Sequence, residues 1–272
     1  MTKILKTRDI QLLELEALRD LKKLCDEHKI KFYLRGGSVM GAVKYGGFVP
    51  WDDDVDIAIP RGQFNKLIEL SQTNWSEKFE IISYKYQEHA GCYFPRVFLK
   101  KEFLQEYNIP ENNRNGLSVI DILPLDGAPS NWLWRQFYFA HVYYLRIMGS
   151  LTTKNLIGHK LHRRLLLRFL YLFGVDKRYS QNDIYEKLDA LYSKNTIEKS
   201  SYIGTITGSL YIKEIFPKEV WGTGEKVAFE TEEFIIPTQY DTYLRKLYGN
   251  DYLTTEPSDK DKNWKKHIKE LE

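Results

Sequence analysis

Between Phe32 and Arg61 a Gly36-Gly37-Ser38 turn is followed by Pro50-Trp51-Asp52-Asp53-Asp54-Val55-Asp56, which sets four carboxylates in five positions. Side chains alternate along a β-strand, so residues two apart share a face. Read as a strand, the run puts Asp52, Asp54 and Asp56 on one face and Val55, Ile57 and Ile59 on the other, with Ala58 small enough for either. Like charges at that spacing repel, and a divalent cation relieves the repulsion. Mg²⁺ fits best, because it takes one or two carboxylates and completes its octahedron with water and phosphate oxygens; Mn²⁺ is an alternative. An acidic run can also be a solvated turn. Here Val49 and Trp51 flank it with bulky apolar groups and a glycine turn precedes it, which favours a metal and phosphate site.

Bulk properties narrow the classes. The 272 residues suffice for one large domain or two small ones, and a 43% apolar fraction can fill a core. A net charge of +3 from 40 basic and 37 acidic residues is too balanced for binding driven by nucleic-acid phosphates, so no nucleic-acid partner is expected. The stretch from Met1 to Arg8 is basic but lacks the apolar segment of a secretory signal, and no apolar run reaches membrane-spanning length. Cys25 and Cys92 are too few for a disulfide framework or a cysteine-rich zinc site; they read as reduced packing residues of a cytoplasmic protein. Nineteen Tyr, 14 Phe and 6 Trp are material for cores, and also for cages around quaternary ammonium groups.

Along the chain, Leu12, Leu15, Leu18, Leu21 and Leu24 predict an amphipathic helix over Asp9 to Lys29. A short strand from Lys31 to Arg35 then runs into Gly36-Gly37, with Ser38 set to cap a helix through Tyr45 and Gly46-Gly47 to break it. The acidic strand ends at Arg61-Gly62, and a helix follows over Gln63 to Ser71. Phe79 to Tyr84 and Tyr93 to Lys100 read as strands separated by a turn at Gln87-Glu88-His89. The run Leu117 to Leu123 carries Asp121 between Ile120 and Ile122, which argues for a strand acid needing a partner rather than a turn residue before Pro124. Candidate helices follow at Asn131 to Gly149, Gly158 to Phe173 and Asn182 to Lys194, then short strands and a helix around Gln239 to Leu247 stopped by Tyr248-Gly249. This is an α+β chain: a mixed-sheet core over 1–130 with flanking helices, and a mainly helical part over 131–272 packed on it and completing the substrate site. The basic, amphipathic stretch His159 to Arg168 is compatible with leucines packed inward, and also with peripheral contact to an anionic membrane or a lipid-linked acceptor.

These residues resemble the LicD-type phosphocholine transferase family of the nucleotidyltransferase-fold superfamily. The superfamily pattern appears as Gly37-Ser38, Asp54-Val55-Asp56 and Asp121; the more specific family pattern appears as Gly41-Ala42-Val43-Lys44 and Gly47-Phe48-Val49-Pro50-Trp51-Asp52-Asp53-Asp54-Val55-Asp56. The likeness continues in Ile120 to Asp126 and in a tail containing Pro237, Tyr240-Asp241, Leu244, Tyr248-Gly249, Asp251-Tyr252, Pro257 and His267. Lys44 stands where arginine is commoner, and Arg35-Gly36-Gly37-Ser38 replaces a Gly-Thr turn.

The resemblance implies transfer of phosphocholine from a CDP-linked donor to a sugar hydroxyl of a cell-surface glycan, such as a teichoic acid, capsule or lipopolysaccharide precursor, with CMP leaving. It implies Mg²⁺ on Asp54, Asp56 and Asp121, with Asp121 completing the metal site or taking the acceptor proton. Gly37 and Ser38 would cradle phosphate, and Arg61, Arg96 and Lys100 are candidates for donor phosphate, each with a surface salt bridge as its ordinary alternative. Trp51, Tyr93 and Tyr252 are candidates for a choline cage. The same fold also serves ribitol phosphate, glycerol phosphate or nucleotidyl transfer. The expected setting is the cytoplasm at the inner face of the membrane, with a lipid-linked acceptor.

Overall fold

The acidic run leads directly into the second strand of a mixed sheet. The computed structural model of the protein describes residues 6–87, 93–107, 109, 117–152 and 179–256. In chain order these form helix α1 (Thr7–Glu27), strand β1 (Tyr33–Leu34), α2 (Gly36–Tyr45), β2 (Val55–Pro60), α3 (Arg61–Leu70), β3 (Phe79–Ile82), β4 (Arg96–Leu99) and β5 (Ser118–Ala128). Then come α4 (Trp132–Thr152), α5 (Gln181–Tyr192), β6 (Tyr202–Gly204), β7 (Phe216–Pro217), α6 (Lys218–Trp221), β8 (Glu225–Phe229), β9 (Glu232–Ile236) and α7 (Tyr240–Tyr248). The architecture is α+β. The candidate helix Gly158 to Phe173, the basic stretch His159 to Arg168, Cys92, the turn residues Glu88 and His89, and the tail positions Pro257 and His267 lie outside the described residues.

Residues 1–125 and 203–272 make one compact unit and residues 126–202 another. In the first, the strands run β1-β2-β5-β4-β3. Strand β2 is antiparallel to β1 and parallel to β5, while β4 is antiparallel to both β5 and β3. A parallel neighbour requires a long crossover, and α3, β3 and β4 supply it between β2 and β5. In the second unit, α4 packs along α5, where a methyl added to Gly149 would stand 3.4 Å from Ile184 Cγ2.

Most local expectations hold, and the departures have physical causes. In α1, Leu15, Leu18, Leu21 and Leu24 are buried, but Leu12 is 51% exposed. At 100° per residue a spacing of three drifts around the helix, and Ile10, Leu13 and Ala17 fill the inner face instead. The strand before the glycines is shorter than expected, because Arg35 already serves as the N-cap of α2. Ser38 therefore lies inside that helix rather than capping it, and its hydroxyl accepts the Asp56 amide at 3.0 Å. Gly46, at φ 67°, ends the helix in the left-handed conformation that glycine adopts without steric cost. Hydrogen bonding of β2 starts only at Val55, so Asp52, Asp53 and Asp54 precede the ladder. The alternation nevertheless extends back through them: Asp53, Val55 and Ile57 are buried, while Asp52, Asp54 and Asp56 are part-exposed. Asp121 lies within β5, as its apolar neighbours indicated.

Candidate active site

Sheet register brings distant acids together. Asp56 in β2 pairs with Asp121 in β5, which pairs in turn with Arg96 in β4. Residues in register on neighbouring strands project on the same face. One row across the sheet therefore reads Asp56, Asp121, Arg96, and Arg96 Nε stands 2.9 Å from Asp121 Oδ1. Arg35 extends the row on the other side, where its amide donates to the Asp56 carbonyl at 3.1 Å and its Nη1 lies 3.0 Å from Asp56 Oδ2. Its Nη2 donates to the fully buried Glu214, whose other carboxylate oxygen accepts from Thr205 at 2.8 Å. Burial opposes the guanidinium's charge, and the carboxylates of Asp56 and Glu214 outweigh it, so the Arg35 pKa stands well above its ordinary value.

The acidic turn is clamped from α1. The side-chain amide of the buried Gln11 donates to the carbonyls of Val49 (3.0 Å) and Asp52 (2.8 Å). This aims Asp52 at the first turn of α2, where a Cβ on Gly37 would stand 3.0 Å from Asp52 Oδ2. A side chain there would crowd the carboxylate, and a glycine admits it. The neighbouring Gly36 has φ +54°, and its amide donates to the buried Tyr243 hydroxyl at 2.9 Å. The Asp52 carboxyl is pushed up to about 8, first by burial, then by the charge of Asp54 and a hydrogen bond shared with it, and then by Asp56 and Asp53.

That cluster is the test of whether a metal fits. A carboxyl pushed toward neutrality by burial and then by neighbouring carboxylates marks a site short of positive charge, and its ligands are the hard oxygens that Mg²⁺ prefers. Among the described residues no three His, Cys, Asp or Glu side chains form a ready-made cage. Mg²⁺ does not require one, since substrate phosphates and water supply most of its shell. On that ground the residues fit a substrate-bridged ion rather than a permanently caged one.

Beside the carboxylates lies a cavity of about 390 Å³, lined by Met40, Tyr45, Trp51, Asp52, Tyr248 and Tyr252 among others. The Tyr45 and Trp51 rings meet edge to face at 5.8 Å. The Tyr252 hydroxyl donates to Asp241 at 3.0 Å and the Tyr45 hydroxyl to Glu256 at 3.2 Å, which fixes both rings. Lys44 donates to the carbonyls of Tyr252 (3.3 Å) and Thr255 (3.0 Å) and pairs with Glu256 at 3.0 Å, holding this wall to α2. The Tyr248 hydroxyl reaches toward Gly36, 3.8 Å from where a Cβ would sit. Its phenol is held protonated well above the usual range, chiefly by burial, with Arg35 opposing and Asp56, Glu214 and Asp52 reinforcing.

Of the residues singled out in the sequence, Gly37, Ser38, Trp51, Asp54, Asp56, Arg96 and Asp121 belong to the glycine turn, the acidic run, the charged row or the cavity wall. Trp51 and Tyr252 share the cavity, whereas Tyr93 stacks on Tyr84 at 5.7 Å. Arg61 begins α3 and lies 5.2 Å over the Phe64 ring. The Lys100 ammonium donates to Asn74 Oδ1 and to the carbonyls of Ser76 and Glu77, at 2.8 to 2.9 Å. Those three bonds use its three protons to staple the loop before β3 to the end of β4. Gln11, Arg35, Glu214, Tyr243 and Tyr248 were not read from sequence as site residues. Arg35 carried a signal, as an arginine abutting the glycine turn, and Tyr248 another, in the family-like tail.

Residues 29–147 match the LicD/FKTN/FKRP nucleotidyltransferase domain. Over that span the chain is similar to the LicD family. Over 279 aligned residues, covering 96% of each chain, it is 25% identical to the lipopolysaccharide cholinephosphotransferase LicD of Haemophilus influenzae. A 44-residue segment, 16% of this chain, is 36% identical to uncharacterized proteins of Rickettsia prowazekii and Rickettsia typhi, and makes up 16% and 14% of those chains. The LicD-family match holds the glycine turn, the acidic run, Arg96 and Asp121. Glu214, Tyr243, Tyr248 and Tyr252 come from beyond it.

Proposed function

We propose that the protein transfers phosphocholine from CDP-choline to a sugar hydroxyl of a cell-surface glycan, with a lipopolysaccharide-type saccharide as the first acceptor to try. The observation that carries this reading is the aromatic cavity opening on the Asp52 carboxylate. Tyr45, Trp51, Tyr248 and Tyr252 offer π faces, which suits a quaternary ammonium, and a cation seated there would draw the Asp52 carboxyl toward its charged form. A polyol phosphate would call for a wall of hydrogen-bonding groups instead. The name of the Haemophilus relative points the same way.

In this reading the acceptor hydroxyl oxygen attacks the choline-bearing phosphorus, the bond from that phosphorus to the CMP oxygen breaks, and CMP leaves. Positioning and charge neutralisation dominate such a transfer. Asp54 and Asp56 would hold Mg²⁺, which supplies neutralisation of the diphosphate when bound. Arg35 holds the Asp56 carboxylate in place, and Gly37 leaves room for phosphate oxygens against the first turn of α2. Asp121, beside Asp56 and paired with Arg96, takes the acceptor proton or completes the carboxylate set. Arg96, the cation of that row, would add positive charge against the phosphate.

The test is release of CMP from CDP-choline by the purified protein with a glycan acceptor, in Mg²⁺ and then in EDTA. Metal-dependent release that disappears in Asp54→Ala supports the proposal. Release from CDP-ribitol or CDP-glycerol in preference to CDP-choline would overturn the choline assignment, and undiminished release in EDTA would overturn the metal.

A further inference from the structure

Helix α4 wears its aromatic residues outward. Trp132 and Trp134 are 66% and 69% exposed, Phe137 is 60% exposed, and Leu133, Tyr143 and Tyr144 are exposed by about half. At 100° per residue, Leu133, Phe137 and Tyr144 fall within a sector of about 40°. Single exposed apolar residues are ordinary. Leu133, Phe137 and Tyr144, with Trp134 about 60° to one side of Phe137, form an apolar strip along one helix, and such patches mark interaction surfaces.

The charge of the sequence stretch that carries the patch indicates its partner. From Gly127 to Val175 the chain contains no Asp or Glu, whereas Arg135, Arg146, Lys154, Lys160, Arg163, Arg164 and Arg168 are all basic. At the chain's overall proportion, 37 acids in 272 residues, such a stretch would hold six or seven. The chain as a whole is nearly neutral, so the positive charge is concentrated in this segment. Exposed Trp and Tyr on an acid-free, basic stretch of chain match the headgroup region of an anionic bilayer, where amphipathic rings lodge and Arg and Lys meet lipid phosphates. No described helix is long and apolar enough to cross a membrane, so α4 would lie on the surface.

We propose that the exposed aromatic face of α4, centred on Trp134 and Phe137, docks on the anionic headgroups of a membrane surface. This inference stands apart from the transfer reaction and is tested without it. The full chain is mixed with vesicles of phosphatidylcholine, with or without phosphatidylglycerol, and bound protein is read by cosedimentation. Brominated acyl chains report tryptophan insertion. The expected result is binding to phosphatidylglycerol vesicles that weakens with salt, with emission quenched in the wild type and largely unquenched in Trp132→Phe/Trp134→Phe. Trp134→Ser/Phe137→Ser should weaken binding by roughly tenfold or more. These side chains are exposed, so the variants keep the wild-type circular dichroism.

No binding to anionic vesicles would overturn the proposal, as would equal binding by the serine variant. So would self-association abolished by that variant, which would make the face an interface between copies. Tryptophans shielded from iodide in the free protein would also overturn it, because another part of the chain would then cover the face.

Discussion

Arg35 joins two acids that lie far apart in sequence: its Nη1 is 3.0 Å from Asp56 Oδ2, and its Nη2 binds the fully buried Glu214. One guanidinium thus ties the carboxylate of the acidic run to the segment after β6. Replacing it removes the partner of a buried charge, which costs about 3–5 kcal/mol when a buried pair is broken from one side. Arg35→Met should lower stability by that order in urea denaturation. Arg35→Met/Glu214→Gln should recover part of the loss, because the fully buried partner is then no longer charged. A double variant no more stable than Arg35→Met would show that the pair is not coupled.

The carboxylates should divide by role. Asp54→Ala and Asp56→Ala are expected to reduce CMP release by about a hundredfold or more, the scale of losing a group that stabilises developing charge. If Asp121 serves as base, Asp121→Asn keeps the wild-type Mg²⁺ dependence while kcat falls. If it is a metal ligand, the Mg²⁺ required for half-maximal rate rises. An Mg²⁺ titration of each variant distinguishes the two.

The aromatic cavity predicts discrimination between donors. A desolvated cation over an aromatic face gains about 2 kcal/mol. Trp51→Ala or Tyr252→Ala should therefore raise the KM for CDP-choline by about ten- to thirtyfold with little change in kcat. Equal losses for CDP-choline and a CDP-polyol would show that the rings act only as packing.

Lys100 should matter for stability alone. Its ammonium makes three hydrogen bonds to the loop around Asn74, Ser76 and Glu77. At about 0.5–1.5 kcal/mol each, Lys100→Met should lower the unfolding free energy by about 1.5–4.5 kcal/mol and leave the KM for the donor unchanged. A raised KM would return Lys100 to the phosphate site.

Cys25 should be inert in the folded protein. It is fully buried, and burial, reinforced by the charge of Asp26, pushes its thiol up to about 12. The reactive species is the thiolate, so in a Cys92→Ser background a thiol reagent at pH 8 should label Cys25 only as fast as the chain unfolds. Prompt labelling under native conditions would contradict that burial.

What the sequence determined by itself was local. A two-residue period told that Asp52, Asp54 and Asp56 share a face, and the burial pattern follows that period even before the ladder begins at Val55. Apolar neighbours placed Asp121 in a strand, and glycines marked the turn against which Asp52 lies. These features depend on backbone geometry over a few residues, which composition and spacing encode directly. Tertiary structure decided which of those residues meet. The pairing of Asp56 with Asp121 requires the register of a parallel ladder across a long crossover, and no short-range pattern specifies a register. Glu214 sits in an unremarkable stretch of sequence, and only folding brings it against Arg35. Tyr248 and Tyr252 likewise join Trp51 and Tyr45 only because α7 returns to α2. The charge of Lys100 was legible, but its destination was not, because a lysine that staples a loop and one that binds phosphate are the same residue until its neighbours are known.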